Sequence, residues 1–547
     1  MIRAVLCCDS SIPNVGDIRH IWAKDKLTEI QLQARGVVSK NLCDVDLLDI
    51  DASLRGQIES GLQMEAKKGG VYSWIEIAYQ HVYWRFARYY QYKLRLEKLI
   101  KQNGVEQLVL SSIENSDLVF ACRAASNGLN IHFEALTGGS NPDSSSLSFS
   151  ASYDLPSSIS VVDCIAGYFL AFAYRISGVR TFFQPYNNLG GKYEKAAVFT
   201  WRRTLCLTGK NLPIAKLGHS WSMYNIDTNI RHEHCVNLDP DAWGGFDAYD
   251  REALASALSY FCQRYKASYL NQISKLTRKF LRRSGAARIL LNSDNTCTTR
   301  LLSKSAKAEG LQVDYMPHGL VWEDLTLNLG TDCGADRVLA WNEASVRAYQ
   351  RRGMNAKAIS HPSCNKETVG KVFTGNIAAL RVLVLPPEWI GLTYAGRPDC
   401  FERDVLDVLN TLRELGVNSV SIKCHNASAE AIQKKMWMLS AIKPYAGVDF
   451  EIMDSGLSTK ELYERFDLII LGPSTGILEV SRSSTPFICF RAMLHKAGTF
   501  DDYKLPCADT VEELQRLILS YDLQQTSEQC VALGQSLIGA ECALGLI

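Results

Sequence analysis

Short apolar runs of strand length alternate with helix-length stretches along most of this chain, and that alternation restricts the fold more than any other feature. VEQLVLSS (105–112) is followed by SDLVFACRAASNG and then by LNIHFEAL (129–136), with short polar junctions. Strand, helix, strand at this spacing predicts parallel strands in a sheet covered on both faces, because a parallel neighbour is reached only through a crossover. The pattern opens at IRAVLCC (2–8) and resumes at ARILLNS (287–293), LQVDYMPHG (311–319) and DRVLAWN (336–342). It runs again through RVLVLPPE (381–388), VNSVSIKCH (417–425), VDFEIMD (448–454) and FDLIILG.

The intervening stretches set the expected organisation. Residues 138–160 are rich in Ser, Gly and Pro and read as a long loop. About 160–285 is mainly helical and aromatic in pattern, an insertion in, or cap on, the first half. HPSCNKETVGKVFTGN (361–376) reads as a polar linker. A chain of 547 residues exceeds one ordinary domain. The expectation is an α/β protein of two Rossmann-like doubly wound lobes, 1–365 with the insertion and 366–547.

Parallel sheets bind ligands beyond the carboxyl ends of their strands, so strand-to-helix junctions hold the candidate site. In FDLIILGPSTGILEVSRSSTPFICF (466–490) an apolar run stops at Gly472-Pro473, and Ser474, Thr475 and Gly476 follow. Free N–H groups at a helix start favour a phosphate, and the two hydroxyls can donate to its oxygens. Glu479 lies one helical turn beyond Thr475, where its carboxylate can accept both hydroxyl hydrogens of a ribose. Lys423 and His425 end another strand of the same half. Each of these residues alone is equally a helix cap or a solvated side chain; their combination reads as a nucleotide clamp.

The first half offers three junctions. Asp294 follows ARILLNS, Glu114 follows VLSSI, and His318 ends YMPHG. Carboxylates and a histidine at strand ends can take a proton, donate to a developing anion or act as a nucleophile.

From His318-Gly319 to about Phe490 the chain resembles bacterial surface-polysaccharide glycosyltransferases of GT-B fold. The likeness rests on the order of HG, ADRVLAWNEASVRAYQRRGM, IKCH and DLIILGPSTGILEVSRSSTPFICF. It is most similar to transferases of CMP-activated ulosonic acids, such as Kdo or nonulosonates, in capsule, O-antigen and lipopolysaccharide assembly. Cys424 and Asn426 stand where those enzymes often carry prolines. HPS (361–363) replaces a common glycine-proline turn. The resemblance implies two lobes facing a central cleft and a CMP-sugar co-substrate, with no other cofactor and no bound metal. It implies Asp294 as nucleophile, Glu114 as acid/base and His318 as donor to the sugar carboxylate or phosphate. Lys423, His425, Ser474, Thr475, Gly476 and Glu479 would hold the nucleotide. It also implies a lipid-linked glycan acceptor and peripheral contact with a bacterial inner membrane. A CDP-alcohol (polyol-phosphate) transferase, with His361 or His425 as a second histidine, is the alternative in another reaction class. A UDP-hexose transferase and a nucleotide-sugar-binding scaffold are further ones.

Composition excludes other classes. Lys and Arg total 59 against 58 Asp and Glu, which gives no electrostatic case for nucleic acid. Seventeen cysteines without a C-x-x-C pair suit reduced thiols in a cytoplasm. MIRAVLCCDSS reads as a first strand, with too short an apolar run for a signal peptide. ISVVDCIAGYFLAFAYRI (159–176) comes nearest to a membrane span but contains Asp163. It reads as a buried helix, or as a membrane-facing surface with Arg175, Arg180, Phe182 and Phe183. The basic stretch 266–283 reads as a solvated helix face or an anionic-lipid contact. RHEHC (231–235) is short for a zinc site.

Overall fold

A computed structural model describes residues 1–9, 12–14, 16–45, 50–112, 116–136, 148–153, 196–199, 224–229, 238–264, 267–284, 288–291, 297–315, 334–340, 343–351, 353–358, 376–386, 400–424, 429–453, 462–463, 465–472, 477, 480, 485–490 and 506–519. Three parallel sheets follow one another along the chain.

The first sheet contains β1 (Arg3–Cys7), β2 (His20–Ala23), β3 (Lys40–Asn41), β4 (Gln107–Leu110) and β5 (His132–Ala135), in the order β3-β2-β1-β4-β5. Alternate residues of β1 feed two cores. Ala4 and Leu6 pack with α3 (Tyr79–Asn103) and α4 (Ser116–Gly128), whereas Val5 and Cys7 pack with Leu32 of α1 (Lys26–Gln33). Burial on both faces is why this strand is an unbroken apolar run. Asp25 starts α1 by accepting the Thr28 amide at 2.8 Å. α3 buries Tyr79, Tyr83, Phe86, Tyr89 and Tyr92, spaced at three or four residues, and Gly104 ends it at φ 60°.

Of the segment expected to be largely helical, the structure describes two helices and two strands. β6 (Ser148–Tyr153) pairs antiparallel with β8 (Tyr224–Asn229), and β7 (Ala196–Phe199) joins the second sheet. α5 (Ala248–Arg264) and the turns before it complete the core of the first lobe. Trp243 lies on Gly61 of α2 (Ile50–Ala66), where an added Cβ would come within 2.5 Å of the ring. The Trp243 indole N–H donates to Glu65 Oε1 at 3.1 Å. Asp247 and Asp250 cap α5 reciprocally, each accepting the other's amide, and both bind Lys93 of α3.

α6 (Ala267–Ser284) leads into the second sheet: β9 (Arg288–Leu291), α7 (Cys297–Lys307), β10 (Gln312–Tyr315), β11 (Arg337–Ala340), α8 (Glu343–Arg351) and β12 (Ala356–Ala358). Its order, β12-β11-β10-β9-β7, runs in one direction without reversal among the described strands. It joins the first lobe through the 3-10 segment Gly70–Ala78. Lys304 donates to the Ser73 carbonyl at 2.8 Å, Trp74 Nε1 donates to Asn271 at 3.0 Å, and Arg300 lies over the Tyr79 ring.

The third sheet has the order β15-β14-β13-β16-β17-β18. Its elements are β13 (Arg381–Leu385), α9 (Cys400–Glu414), β14 (Ser419–Ile422), α10 (Ala429–Ile442), β15 (Phe450–Ile452), β16 (Leu468–Leu471), β17 (Phe487–Phe490), β18 (Cys507–Ala508) and α11 (Val511–Leu519). α9 turns Phe401, Val405, Leu409 and Leu412 into the core against Val382, Val420 and Ile470. The protein is α/β throughout, with Rossmann-like, doubly wound first and third lobes. The sequence reading anticipated one Rossmann-like lobe over 1–365; the described residues there form two parallel sheets and the antiparallel pair β6-β8.

Candidate functional site

In the third sheet, β13 and β16 are neighbours from which the chain proceeds in opposite directions. Their carboxyl ends therefore border the switch-point crevice of a doubly wound sheet. Gly472, the first residue past β16, donates its amide to Leu385, the last of β13, at 3.0 Å. Lys423 lies just past β14; its amide donates to Val384 at 3.0 Å and the residue is only 6% exposed. Cys424 beside it is buried. The stretch quoted first for its hydroxyls thus leaves β16 at the crevice. Ser474, Thr475, Gly476, Glu479 and His425 themselves lie outside the described residues. Ile477 and Val480, either side of the Glu479 position, are helical and fully buried.

The first sheet has its own switch point, between β1 and β4. Cys8 follows β1, and Ser111 and Ser112 follow β4. The Cys8 amide donates to Ser111 Oγ at 2.9 Å, and its thiol contacts the Ser112 carbonyl at 3.6 Å. Burial pushes the Cys8 thiol up to about 11, so it is protonated at neutral pH and is no thiolate nucleophile. Lys24 and Asp25 follow β2, with Lys24 Nζ 3.4 Å from Asp25 Oδ2. Burial works against the Lys24 ammonium. Asp25, Cys8 and Glu402 more than offset it and hold the group charged above its usual range. Sequence reasoning missed Cys8, Lys24 and Asp25; the signal was the short strand HIWA followed at once by Lys24 and Asp25.

Glu114, four residues past β4, lies outside the described residues. So do Asp294 and His318, each three residues past β9 and β10, which are paired neighbours in the second sheet. The three junctions expected to share one lobe therefore follow strands of two different sheets. β9 and β10 bring two of them to adjacent strand ends, and β4 belongs to the first switch point.

The carboxyl edges of the first and third sheets meet. α1, which begins after β2, packs on α9, which begins beyond β13. Leu27 of α1 is buried within the third lobe's core, with Ile30 against it. Arg403 Nη2 of α9 pairs with Asp44 Oδ1, just past β3, at 2.6 Å. Glu402 of the third lobe favours the charged form of Lys24 in the first. Two doubly wound lobes with facing carboxyl edges are the GT-B layout expected from the sequence; the second sheet is an addition to it.

Among the described residues, no group of three or more His, Cys, Asp or Glu could hold a metal ion, and no helix is long and apolar enough to cross a membrane. His232, His234, Cys235 and the 159–176 segment lie outside them.

No family model and no curated relative matches this chain. Solved structures do. One is the Anabaena protein HepE in complex with UDP: 12% identity over 53% of this chain and 83% of that one, TM-score 0.32. A second is the UDP-GlcNAc 2-epimerase of Methanocaldococcus jannaschii with UDP-GlcNAc and UDP: 13% identity over 47% and 75%, TM-score 0.32. A third is the lipopolysaccharide outer core galactosyltransferase WaaB: 12% identity over 50% and 78%, TM-score 0.30. Overlaps this loose carry no argument about this chain's chemistry.

Proposed function

We propose that this chain is a glycosyltransferase using a nucleotide-sugar donor, and that the donor is a CMP-activated ulosonic acid such as Kdo or a nonulosonate. The observation that supports it most is the pair of switch points on facing carboxyl edges, one beside Lys423 and Gly472 and the other beside Cys8 and Ser111. A ligand spanning such a cleft has its nucleotide on one sheet and its reacting sugar before the other. Ser474, Thr475 and Gly476 would hold the phosphate, Glu479 the ribose, and Lys423 and His425 the remaining donor oxygens.

In this proposal the Asp294 carboxylate attacks the anomeric carbon and its bond to the CMP phosphate breaks, with His318 donating to the departing or sugar anion. An acceptor hydroxyl then attacks the adduct, giving its proton to Glu114 as the Asp294 ester opens. The acceptor would be a lipid-linked glycan, which places the enzyme at the cytoplasmic face of an inner membrane.

Thermal stabilisation by CMP, CDP and UDP, measured side by side, tests the base, because a ligand that binds only the folded state raises its stability. CMP preference with Kdo or nonulosonate transfer to a glycan is the expected result. UDP preference would make it a hexose transferase, and a phosphodiester product would make it a CDP-alcohol transferase. Asp294→Ala and Glu114→Gln each abolish transfer in folded protein if the roles are right; wild-type rates would remove that residue from the mechanism.

A further inference from the structure

The two candidate half-sites lie on different lobes, so their separation depends on whatever registers one lobe against the other. The described contact between these lobes is compact. Leu27 enters the third lobe's core, and beside it Asp44 of the first lobe meets Arg403 of the third at 2.6 Å. Both partners sit on edges that face the cleft. Asp44 closes the 3-10 turn Leu42–Asp44 directly after β3, a turn fixed by the buried Asn41 side chain accepting the Cys43 amide at 2.8 Å. Arg403 is the fourth residue of α9, whose next two turns carry Val405, Leu406 and Leu409 in the core. Both side chains are carried on backbone packed into their own lobe, Asp44 next to the buried Leu42 and Cys43 and Arg403 between core residues of α9.

Apolar contact and ion pair do different jobs here. Leu27 supplies adhesion, which is non-directional. A guanidinium gripping a carboxylate has a fixed geometry and so fixes orientation. Arg403 is 13% exposed and Asp44 40%, a partly screened pair suited to setting register more than to holding the fold together.

We propose that Arg403 and Asp44 are positioning residues that register the third lobe on the first and so set the span between the nucleotide site and Glu114, the reacting group that follows β4 of the first sheet. The inference rests on the transferase reading for its consequence, though not for its geometry. Neither side chain touches donor or acceptor; both act through the distance between switch points.

Charge reversal separates this from a structural role. Asp44→Arg and Arg403→Asp are made singly and together, with Asp44→Asn and Arg403→Gln in their place should a reversal fail to fold. Three readouts are taken: solution scattering, thermal stabilisation by CMP, and CMP release from CMP-Kdo. Each single variant is expected to change the radius of gyration and slow CMP release about tenfold or more, while CMP still stabilises the protein as in wild type. The double reversal restores both scattering and rate. Unchanged scattering in the single variants, or no recovery in the double, would overturn the proposal. Loss of CMP stabilisation in step with rate would also overturn it, since the pair would then be serving the binding site itself. If CMP fails to stabilise wild type, the donor reading falls, and the scattering results still decide the registering role.

Discussion

Arg381 and Asp467 clamp the amino ends of β13 and β16, the two strands whose other ends border the third-sheet crevice. Arg381 donates to Asp467 through Nη2 at 2.8 Å, through Nε at 3.0 Å and through its own amide at 3.1 Å. The pairing register Val382↔Leu468 to Leu385↔Leu471 begins immediately above it. Hydrogen bonding to the buried Asp467 carboxylate holds the Arg381 guanidinium above its usual range.

Asp467→Ala therefore removes three hydrogen bonds from one junction and leaves a guanidinium that water can still reach. The expected loss is about 1–2 kcal/mol, the lower part of the range for hydrogen bonds to charged groups. Urea unfolding measures it, and a change under 0.5 kcal/mol would show that the clamp does not hold the strands in register.

Lys93 carries a heavier burden. Its side chain and that of Asp250 are each 5% exposed, 2.8 Å apart, and Tyr89 donates to the same carboxylate oxygen at 3.0 Å. Lys93→Met leaves the buried Asp250 carboxylate without its ammonium and should cost about 3–5 kcal/mol. Adding Asp250→Leu should recover part of it, because the uncompensated charge goes with it. Denaturant midpoints of the two variants test this; a double variant no better than the single would contradict it.

The same cluster sets a pH dependence with two opposite signs. Burial disfavours the Asp247 carboxylate, but bonds from Lys93 and the Asp250 amide win and lower it below its ordinary 3.8. Its contribution is present above 3.8 and is lost as pH falls toward the lower folded value. Glu97 is raised above its ordinary 4.5, first by burial, despite Lys93. Its ionised form is therefore disfavoured in the fold at neutral pH. Glu97→Gln should stabilise the protein at pH 7, with the gain fading as pH falls through 4.5, whereas Asp247→Asn should destabilise it at pH 7 and flatten the acid limb. Thermal unfolding between pH 3 and 7 reads both.

Lys423 is the one expected donor-binding residue that falls among the described residues. Lys423→Met should weaken CMP stabilisation by the equivalent of roughly 10–100-fold in affinity, the scale of one charge-assisted contact. An undiminished shift in a folded variant would remove Lys423 from the donor site.

Ten apolar runs read from the sequence, from IRAVLCC to FDLIILG, are strands in the structure. They were legible because strands buried on both faces are written as continuous Val, Ile and Leu, with polar junctions where the chain turns. β2, β3, β12 and β18 were not, nor were β6, β7 and β8, which fall in stretches read as a loop or as helical. HIWA, KN, AKA and CA are two to four residues long, and such strands at or near a sheet edge carry too few residues for a periodic signal.

The chemistry of the junctions was likewise local: hydroxyls, glycine and glutamate beside an apolar run are visible in the order of residues. Which junctions share a sheet was not. Glu114, Asp294 and His318 follow similar runs, yet β4 pairs with β1 while β9 and β10 pair with each other, because pairing partners are chosen over a hundred residues by packing. For Lys24 the neighbouring Asp25, the largest influence that favours its charge, was visible in the sequence, but Glu402, nearly four hundred residues away, was not. By itself the sequence determined parallel α/β units and the residue types at their ends, both of which depend on neighbours along the chain. Only the tertiary structure decided that the described residues form three parallel sheets and that the first and third face one another, since burial of Leu27 and pairing of Asp44 with Arg403 exist only once distant segments meet.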